Sequence, residues 1–279
     1  MHIKCWGSRG SIPVSGADYI KYGGDTTCIE IRTKSNDLII IDAGTGVRRL
    51  GNALVNEEKT VYHFLFTHSH WDHLMGFPFF KPLYRSESDV QIYRCPFPGR
   101  FIEEIVSKLM GPPHFPVRYS DLKARITYKE GCPSEFQIGS VTVIPITLSH
   151  PNGGCGYKFI EDGKAFVFLT DNELGYVHPH GLRSDDYAIL CEHADLLFHD
   201  AEYSPEEYEK SIEWGHSTYT DALDMAMKAR VTKLGLFHHN RERTDAQVDQ
   251  IVAQCRRIIE ENGAGPDCFA VGMDMTFEI

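Results

Sequence analysis

The six residues His68-Ser69-His70-Trp71-Asp72-His73 place three imidazoles and a carboxylate directly behind the apolar run Val61-Tyr62-His63-Phe64-Leu65-Phe66. Such a run, ending in polar residues, reads as a buried strand that delivers side chains to a sheet edge. Neutral imidazole and carboxylate are the nitrogen and oxygen ligands of zinc and of harder first-row divalent ions, and a strand end holds them rigidly. His68 and His70 can point the same way from extended chain, whereas Asp72 and His73 open the next element and turn elsewhere. One ion could hardly use all four; two ions at the roughly 3.5–4 Å spacing of two-metal hydrolases could. The plainer alternative is a chance cluster of surface histidines in a chain that has fourteen, but few structural needs gather them so tightly.

The rest of the chain can house such a site. With 279 residues, 42% hydrophobic and 11% aromatic, it can bury a sizeable core, which excludes a disordered chain. The 28 basic and 39 acidic residues leave a net charge of −11, which disfavours attachment to anionic membrane or to long nucleic acid. A small molecule or a short oligonucleotide is the easier partner. The eight cysteines are scattered, with no C-x-x-C spacing and no secretory segment ahead of them. They read as reduced, mostly buried thiols of a cytoplasmic protein. Even residues 141–148, among the most apolar, fall far short of the roughly 20 needed to cross a bilayer.

His68-Ser69-His70-Trp71-Asp72-His73 has the form His-x-His-x-Asp-His and resembles the signature of the metallo-β-lactamase superfamily, in particular its dinuclear branches. The resemblance implies an α/β fold, the four-layer αββα sandwich, as one hydrolase domain over residues 1–279 with the site along one edge of the paired sheets. It also gives meaning to residues that alone say little. Asp42-Ala43-Gly44-Thr45-Gly46 follows the apolar Leu38-Ile39-Ile40-Ile41, as phosphate-binding loops do, yet completes neither G-x-x-x-x-G-K nor G-x-G-x-x-G. In the superfamily a matching Asp-x-Gly lies under the metal site, so Asp42 would orient a ligand imidazole. His150, at the end of the strand-like 141–148, would join His68 and His70 on one ion. Asp171, at the end of the strand-like 165–169, would bridge to a second ion held by Asp72 and His73; capping a helix is its plainer role.

Two further stretches narrow the branch. His199-Asp200-Ala201-Glu202 after an apolar strand, then Trp214-Gly215-His216-Ser217-Thr218, resemble the ribonuclease Z and phosphodiesterase group. There an acid orients the histidine of a His-Ser-Thr motif, and that histidine protonates the leaving oxygen. Here His216 matches the donor and Asp200 the acid, an Asp where ribonuclease Z usually shows Glu. Ser217 or Thr218 can also cap the following helix. His238-His239-Asn240 ends the last strand of this kind; the match favours His238 as the final ligand, with His239 as the alternative. The serine-arginine pair that follows in ribonuclease Z is replaced by Asn240-Arg241-Glu242-Arg243. Val248, Ile251, Val252 and Cys255 then mark a final amphipathic helix, and residues 268–279 read as one closing strand. Near the start, Gly7-Ser8-Arg9-Gly10-Ser11 is a tight turn or an anion contact through Arg9. Residues 81–135 are less regular and read as a cap insertion, with Phe101, Ile105, Val106 and Leu109 at helical spacing before Gly111-Pro112-Pro113-His114 stops the helix.

These readings converge on a dinuclear metal-dependent hydrolase of a small or short phosphodiester: a cyclic nucleotide, a cyclic phosphate or an RNA end. Asp72 would hold the metal-bridging hydroxide's ion, and His216 with Asp200 would supply the proton. Zinc is the first choice of metal, with manganese or iron accepted by the same donors. A homodimer is compatible with this reading. Transfer RNA 3′ processing, lactone or ester hydrolysis, and a noncatalytic diiron oxygen or redox sensor are its rivals. The first usually needs a long glycine- and proline-rich arm not evident here, and neither of the others has a clear use for His216.

Overall fold

The computed structural model describes residues 1–93, 95, 101–113, 115–129 and 131–279, with the backbone alone at 101 and 109. The first half of the chain forms β1 (His2–Gly7), β2 (Cys28–Arg32), β3 (Leu38–Ile41), α1 (Val47–Leu54), β4 (Val61–Leu65), α2 (Trp71–Leu74), β5 (Asp89–Tyr93), α3 (Phe101–Leu109) and β6 (Arg125–Lys129). The second half forms β7 (Phe136–Ile138), β8 (Val141–Thr147), β9 (Cys155–Glu161), β10 (Lys164–Leu169), α4 (Ser184–Leu190), β11 (Leu196–Asp200), α5 (Pro205–Tyr208), α6 (Tyr219–Lys228), β12 (Lys233–Phe237), α7 (Asp245–Asn262), β13 (Asp267–Ala270) and β14 (Thr276–Glu278). The strands make two sheets of seven, ordered β14-β1-β2-β3-β4-β5-β6 and β13-β12-β11-β10-β9-β8-β7.

Alternation of side chains decides what each face meets. Ile39 and Ile41 point inward with Ile29 and Ile31 and meet Tyr157, Phe159, Phe166, Phe168 and Phe198 of the other sheet. Leu38 and Ile40 point outward and pack with Phe64 under Val47 and Leu50 of α1 and Ile102 and Val106 of α3. On the far side, Val167, Leu197 and Leu234 are covered by Leu223 and Ala226 of α6 and Val248 and Val252 of α7. Helix, sheet, sheet and helix therefore stack in the expected four layers, as an αββα sandwich. Strands buried on both faces read as continuous apolar runs for this reason. Thr218 caps α6 by accepting from the Asp221 amide at 3.0 Å, and Thr244 caps α7 in the same way.

Three expectations change. The 81–135 segment supplies β5 and β6, which pair in parallel beside β4 and extend the first sheet; the part outside the sheet is α3 with its flanks. Phe101 and Leu109 lie outside the described side chains, and His114 outside the described residues. Residues 268–279, read as one closing strand, are two: β13 ends the second sheet, and after a turn β14 pairs with β1 in the first. Cys95 and Cys132 form a disulfide, S–S 2.07 Å, so two of the cysteines expected as thiols are paired while the other six are free and buried. Among the described residues no helix is long and apolar enough to cross a membrane.

Candidate metal centre

Parallel strands end together, and their carboxyl ends carry the site. Asp42 follows β3, Thr67 and His68 follow β4, Asp171 follows β10, Asp200 closes β11 and His238 follows β12. Asp42, Asp171 and His238 have φ of 60°, 50° and 58°, a left-handed backbone that costs a non-glycine residue roughly 1–3 kcal/mol. Each thereby stops its strand and swings a side chain toward the same point between the two sheets.

There His68, His70, His150 and Asp171 form one group of potential ligands and Asp72, His73, Asp171 and His238 a second, the ligand atoms in each lying within 4.8 Å of one another. Asp171 belongs to both. Its Oδ2 lies 3.5 Å from His68 Nε2, 3.9 Å from His150 Nε2 and 3.4 Å from His238 Nε2, and its Oδ1 lies 3.2 Å from His73 Nε2. Asp72 Oδ2 is 3.3 Å from His73 Nε2 and 3.2 Å from His238 Nε2. The Ser11 amide donates to Asp72 Oδ2 at 2.8 Å.

Hydrogen bonds behind the cluster fix which imidazole nitrogen faces it. Asp42 accepts from the Thr67 amide and hydroxyl, both at 2.7 Å, and from His73 Nδ1 at 2.7 Å. With its proton committed to Asp42, the Thr67 hydroxyl accepts from His68 Nδ1 at 3.1 Å. His238 Nδ1 donates to Glu202 at 3.0 Å. With Nδ1 committed in this way, each of the three rings presents Nε2 to the cluster, the nitrogen that would be free to bind a metal. His68 Nε2, His73 Nε2 and both nitrogens of His150 are buried without a hydrogen-bond partner, a costly state for polar atoms.

Charge points the same way. Asp42, Asp72, Asp171, Asp200 and Glu202 are all buried, and among the described residues no Lys or Arg pairs with their carboxylates, only histidines. Buried carboxylates without cations are strongly disfavoured. Burial and neighbouring histidines push the His68 imidazole well below its usual range and burial takes His150 to about 3. Burial also opposes charge on His73, but Asp72, Asp171 and Asp42 outweigh it and hold this ring well above that range. Orphaned imidazole nitrogens, bridging carboxylate and uncompensated negative charge together fit divalent metal ions.

His216 stacks on His238 with centroids 4.8 Å apart. Its Nδ1 donates to Asp200 Oδ2 at 2.8 Å, and Asp200 Oδ1 accepts from the Ser217 amide at 2.9 Å. Nδ1 is thus tied down, and Nε2 is the nitrogen free for a ligand. Burial lowers the pKa of this ring, but Glu202 and Asp200 raise it further, to about 9. A cavity of about 430 Å³ is lined by Ser11, His70, Trp71, Asp72, Asp171, His216 and His238.

All the residues singled out in the sequence as ligands meet here, together with His216, Asp200 and Asp42. His239 does not: its Nε2 donates to the Val271 carbonyl at 2.8 Å and its ring packs on Tyr22. Arg9 is wholly buried and donates to the carbonyls of Gly23, Asn240 and Arg243, a staple for the 240–243 loop and not an anion contact. A Cβ on Gly10 would stand 2.5 Å from the His238 ring, so the early glycine turn is there to let the backbone pass this imidazole. Sequence reading missed Glu202, whose role depends on a register that only the folded sheet reveals.

Residues 38–239 match the model of the Beta-lactamase superfamily domain. Ribonuclease Z from Thermococcus onnurineus (strain NA1) is 25% identical over 277 residues, covering 83% of this chain and 84% of that protein. Among solved structures, the metallo-beta-lactamase fold protein YhfI from Bacillus subtilis superposes with a TM-score of 0.71 at 15% identity, over 100% of this chain and 99% of that one. A diphosphatase from the PhnP family superposes with a TM-score of 0.70 at 16% identity, over 100% of this chain and 97% of its own. At such identities these two structures speak for the fold.

Proposed function

The chain belongs to the beta-lactamase superfamily, and on that premise we propose that it is a metal-dependent hydrolase of a small or short phosphodiester. His68, His70 and His150 would hold one divalent ion, Asp72, His73 and His238 a second, and Asp171 would serve both. Zinc suits this mixed nitrogen and oxygen set best, and manganese and iron also accept it. Bound there, such ions supply positive charge for the phosphoryl oxygens and lower the pKa of water from 15.7 toward about 7.

The chain's own residues do the rest. Asp42, Thr67 and Glu202 keep the ligand rings in the metal-binding tautomer. Asp200 holds His216 by Nδ1 at 2.8 Å, leaving Nε2 to deliver a proton to the departing oxygen, a contribution typically of 10²–10⁴-fold. The observation that carries this reading is the His216–Asp200 pair beside the candidate metal ligands, since a metal-binding or sensing module has no use for a proton donor there. Transfer RNA 3′ processing is the second reading, favoured by the ribonuclease Z relatives.

The test is hydrolysis of bis-p-nitrophenyl phosphate by zinc- and manganese-loaded protein. Turnover is expected and is abolished by Asp72→Ala; no turnover in protein that holds two ions would overturn the reading. His216→Ala should slow diesters with alkyl leaving groups by about 10²-fold or more and spare the p-nitrophenyl ester. Equal losses on both would remove His216 from the proton-donor role, and rapid cleavage of a precursor transfer RNA would promote the second reading.

A further inference from the structure

The cavity over the metal ligands does not end at His70. A second, larger groove of about 840 Å³ begins at His68, Ser69 and His70 and runs out to Pro133, Pro145, Pro151 and His180. It shares Ser69 and His70 with the smaller cavity, so a ligand seated on the metal site reaches directly into it. Its size falls within the roughly 300–1,000 Å³ of small-molecule sites. The Cys95–Cys132 disulfide anchors one wall, because Cys132 itself lines the groove.

The lining is unusual for a chain of net charge −11. Among the described residues no Lys, Arg, Asp or Glu lines this groove; three prolines, glycine backbone, Ser134, Thr147, Asn152 and imidazoles do. A guanidinium does approach the metal-site cavity on the other branch: Arg241 Nη1 reaches Ser11 Oγ at 3.4 Å, and Ser11 lines the smaller cavity. One anionic phosphate is therefore provided for at the metal site. A second phosphate entering the groove would exchange water for a lining that, among the described residues, offers it no cation, a loss that weighs against the few kilocalories that binding has to spare. Hydroxyls, an amide and imidazole set among prolines suit instead an uncharged group that makes a few hydrogen bonds and has apolar faces.

We propose that the groove beyond His70 seats the non-reacting group of the substrate, and that this group is uncharged and of nucleoside size, so that the substrate carries a single phosphodiester. The proposal rests on the phosphodiesterase reading and narrows it. Long RNA and polyphosphate compounds are excluded because each further linkage would bring another phosphate into the groove.

Three esters sharing the p-nitrophenolate leaving group separate the two claims: methyl p-nitrophenyl phosphate, thymidine 5′-p-nitrophenyl phosphate, and the latter bearing a 3′-phosphate. The nucleoside ester should exceed the methyl ester in kcat/KM by about tenfold or more, equivalent to about 1.4 kcal/mol of group binding, and the 3′-phosphate should erase the gain. Ser134→Trp, at an exposed wall position, should remove the advantage while leaving the methyl ester unchanged; Thr147→Trp on β8 serves as an independent block. Equal rates for methyl and nucleoside esters, or a preference for the 3′-phosphorylated one, would overturn the proposal. If none of the three is hydrolysed, the phosphodiesterase reading fails, and saturation-transfer NMR of thymidine with the metal-loaded protein decides the groove by itself. A signal lost in Ser134→Trp supports the seat; no signal overturns it.

Discussion

Glu173 organises the approach to His216 without touching it. Fully buried, its Oε2 accepts from His178 Nε2 at 2.8 Å and the Gly215 amide at 2.7 Å, and its Oε1 accepts from the Tyr208 hydroxyl at 2.6 Å and the Glu213 amide at 2.8 Å. Glu173→Gln would leave one pair of donors facing an amide NH2, at a cost of about 1–3 kcal/mol per unsatisfied donor. The 208–215 segment that leads into His216 would loosen. Such a variant should lose activity on alkyl-leaving diesters while keeping p-nitrophenyl turnover, and combining it with His216→Ala should add nothing; additive losses would show a general structural role. His199 offers a separate readout in stability. Its Nδ1 donates to the Asp200 carbonyl at 2.8 Å, its Nε2 accepts from Asn172 at 3.1 Å, and burial lowers its pKa. The unfolded chain then takes up a proton that the folded one refuses. Stability from this group is complete above the unfolded value of about 6.5 and falls as pH drops below it. Urea unfolding of His199→Gln should show a shallower loss than the parent between roughly pH 6.5 and 5; parallel curves would count against this.

At the scale of elements, β11 is the strand on which the interior turns. Phe198 contacts Phe166 at 5.1 Å, Phe277 at 5.3 Å and Phe237 at 6.0 Å between centroids, joining strands of both sheets. Phe198→Ala should therefore destabilise the protein by about 3–5 kcal/mol in urea unfolding. Strands of this kind were legible in the sequence, because burial on both faces writes an uninterrupted apolar run such as Leu196-Leu197-Phe198. The last two strands of the first sheet, β5 and β6, were not. Asp89-Val90-Gln91-Ile92-Tyr93 and Arg125-Ile126-Thr127-Tyr128-Lys129 alternate over only five residues each, too few to stand out from the irregular chain around them, so a cap was read where the sheet continues. The turn between β13 and β14 hid for a different reason: in Val271-Gly272-Met273-Asp274-Met275 the buried Val271 is followed by methionines at half-buried and exposed positions, and the composition imitates strand. The same contrast governs the site. Imidazoles behind a strand announce themselves, whereas Glu202 and Glu173 gain meaning only once distant loops are brought together.

The two sheets are built on one plan. From β14 through β1 and β2 to β3 the pairing is antiparallel, and from β3 to β6 parallel; β7 to β10 is again antiparallel and β10 to β13 parallel. In each sheet the strand at the switch from antiparallel to parallel is followed by an aspartate with left-handed backbone, Asp42 after β3 and Asp171 after β10. Facing each other across the sandwich, one holds a ligand imidazole from behind and the other stands among the ligand nitrogens. The candidate ligands are accordingly divided between the halves: His68, His70, Asp72 and His73 follow a strand of the first sheet, and His150, Asp171 and His238 follow strands of the second. An ion bound among them would cross-link the two sheets at this edge, adding to the few backbone bonds that join them there, such as the Cys155 amide to the Thr67 carbonyl at 2.8 Å and the His239 amide to the Ser8 carbonyl at 3.0 Å. Metal should then raise the melting temperature in a concentration-dependent way, by a stabilisation near 4 kcal/mol at about a thousandfold excess over Kd. Chelation should reverse it. Asp171→Ala, which removes the group shared by both ligand sets, should abolish most of the metal-induced shift, whereas Asp200→Asn, which acts on His216, should retain it. A melting temperature indifferent to zinc and manganese, in protein shown to bind neither, would dismantle the metal centre and the hydrolase built on it.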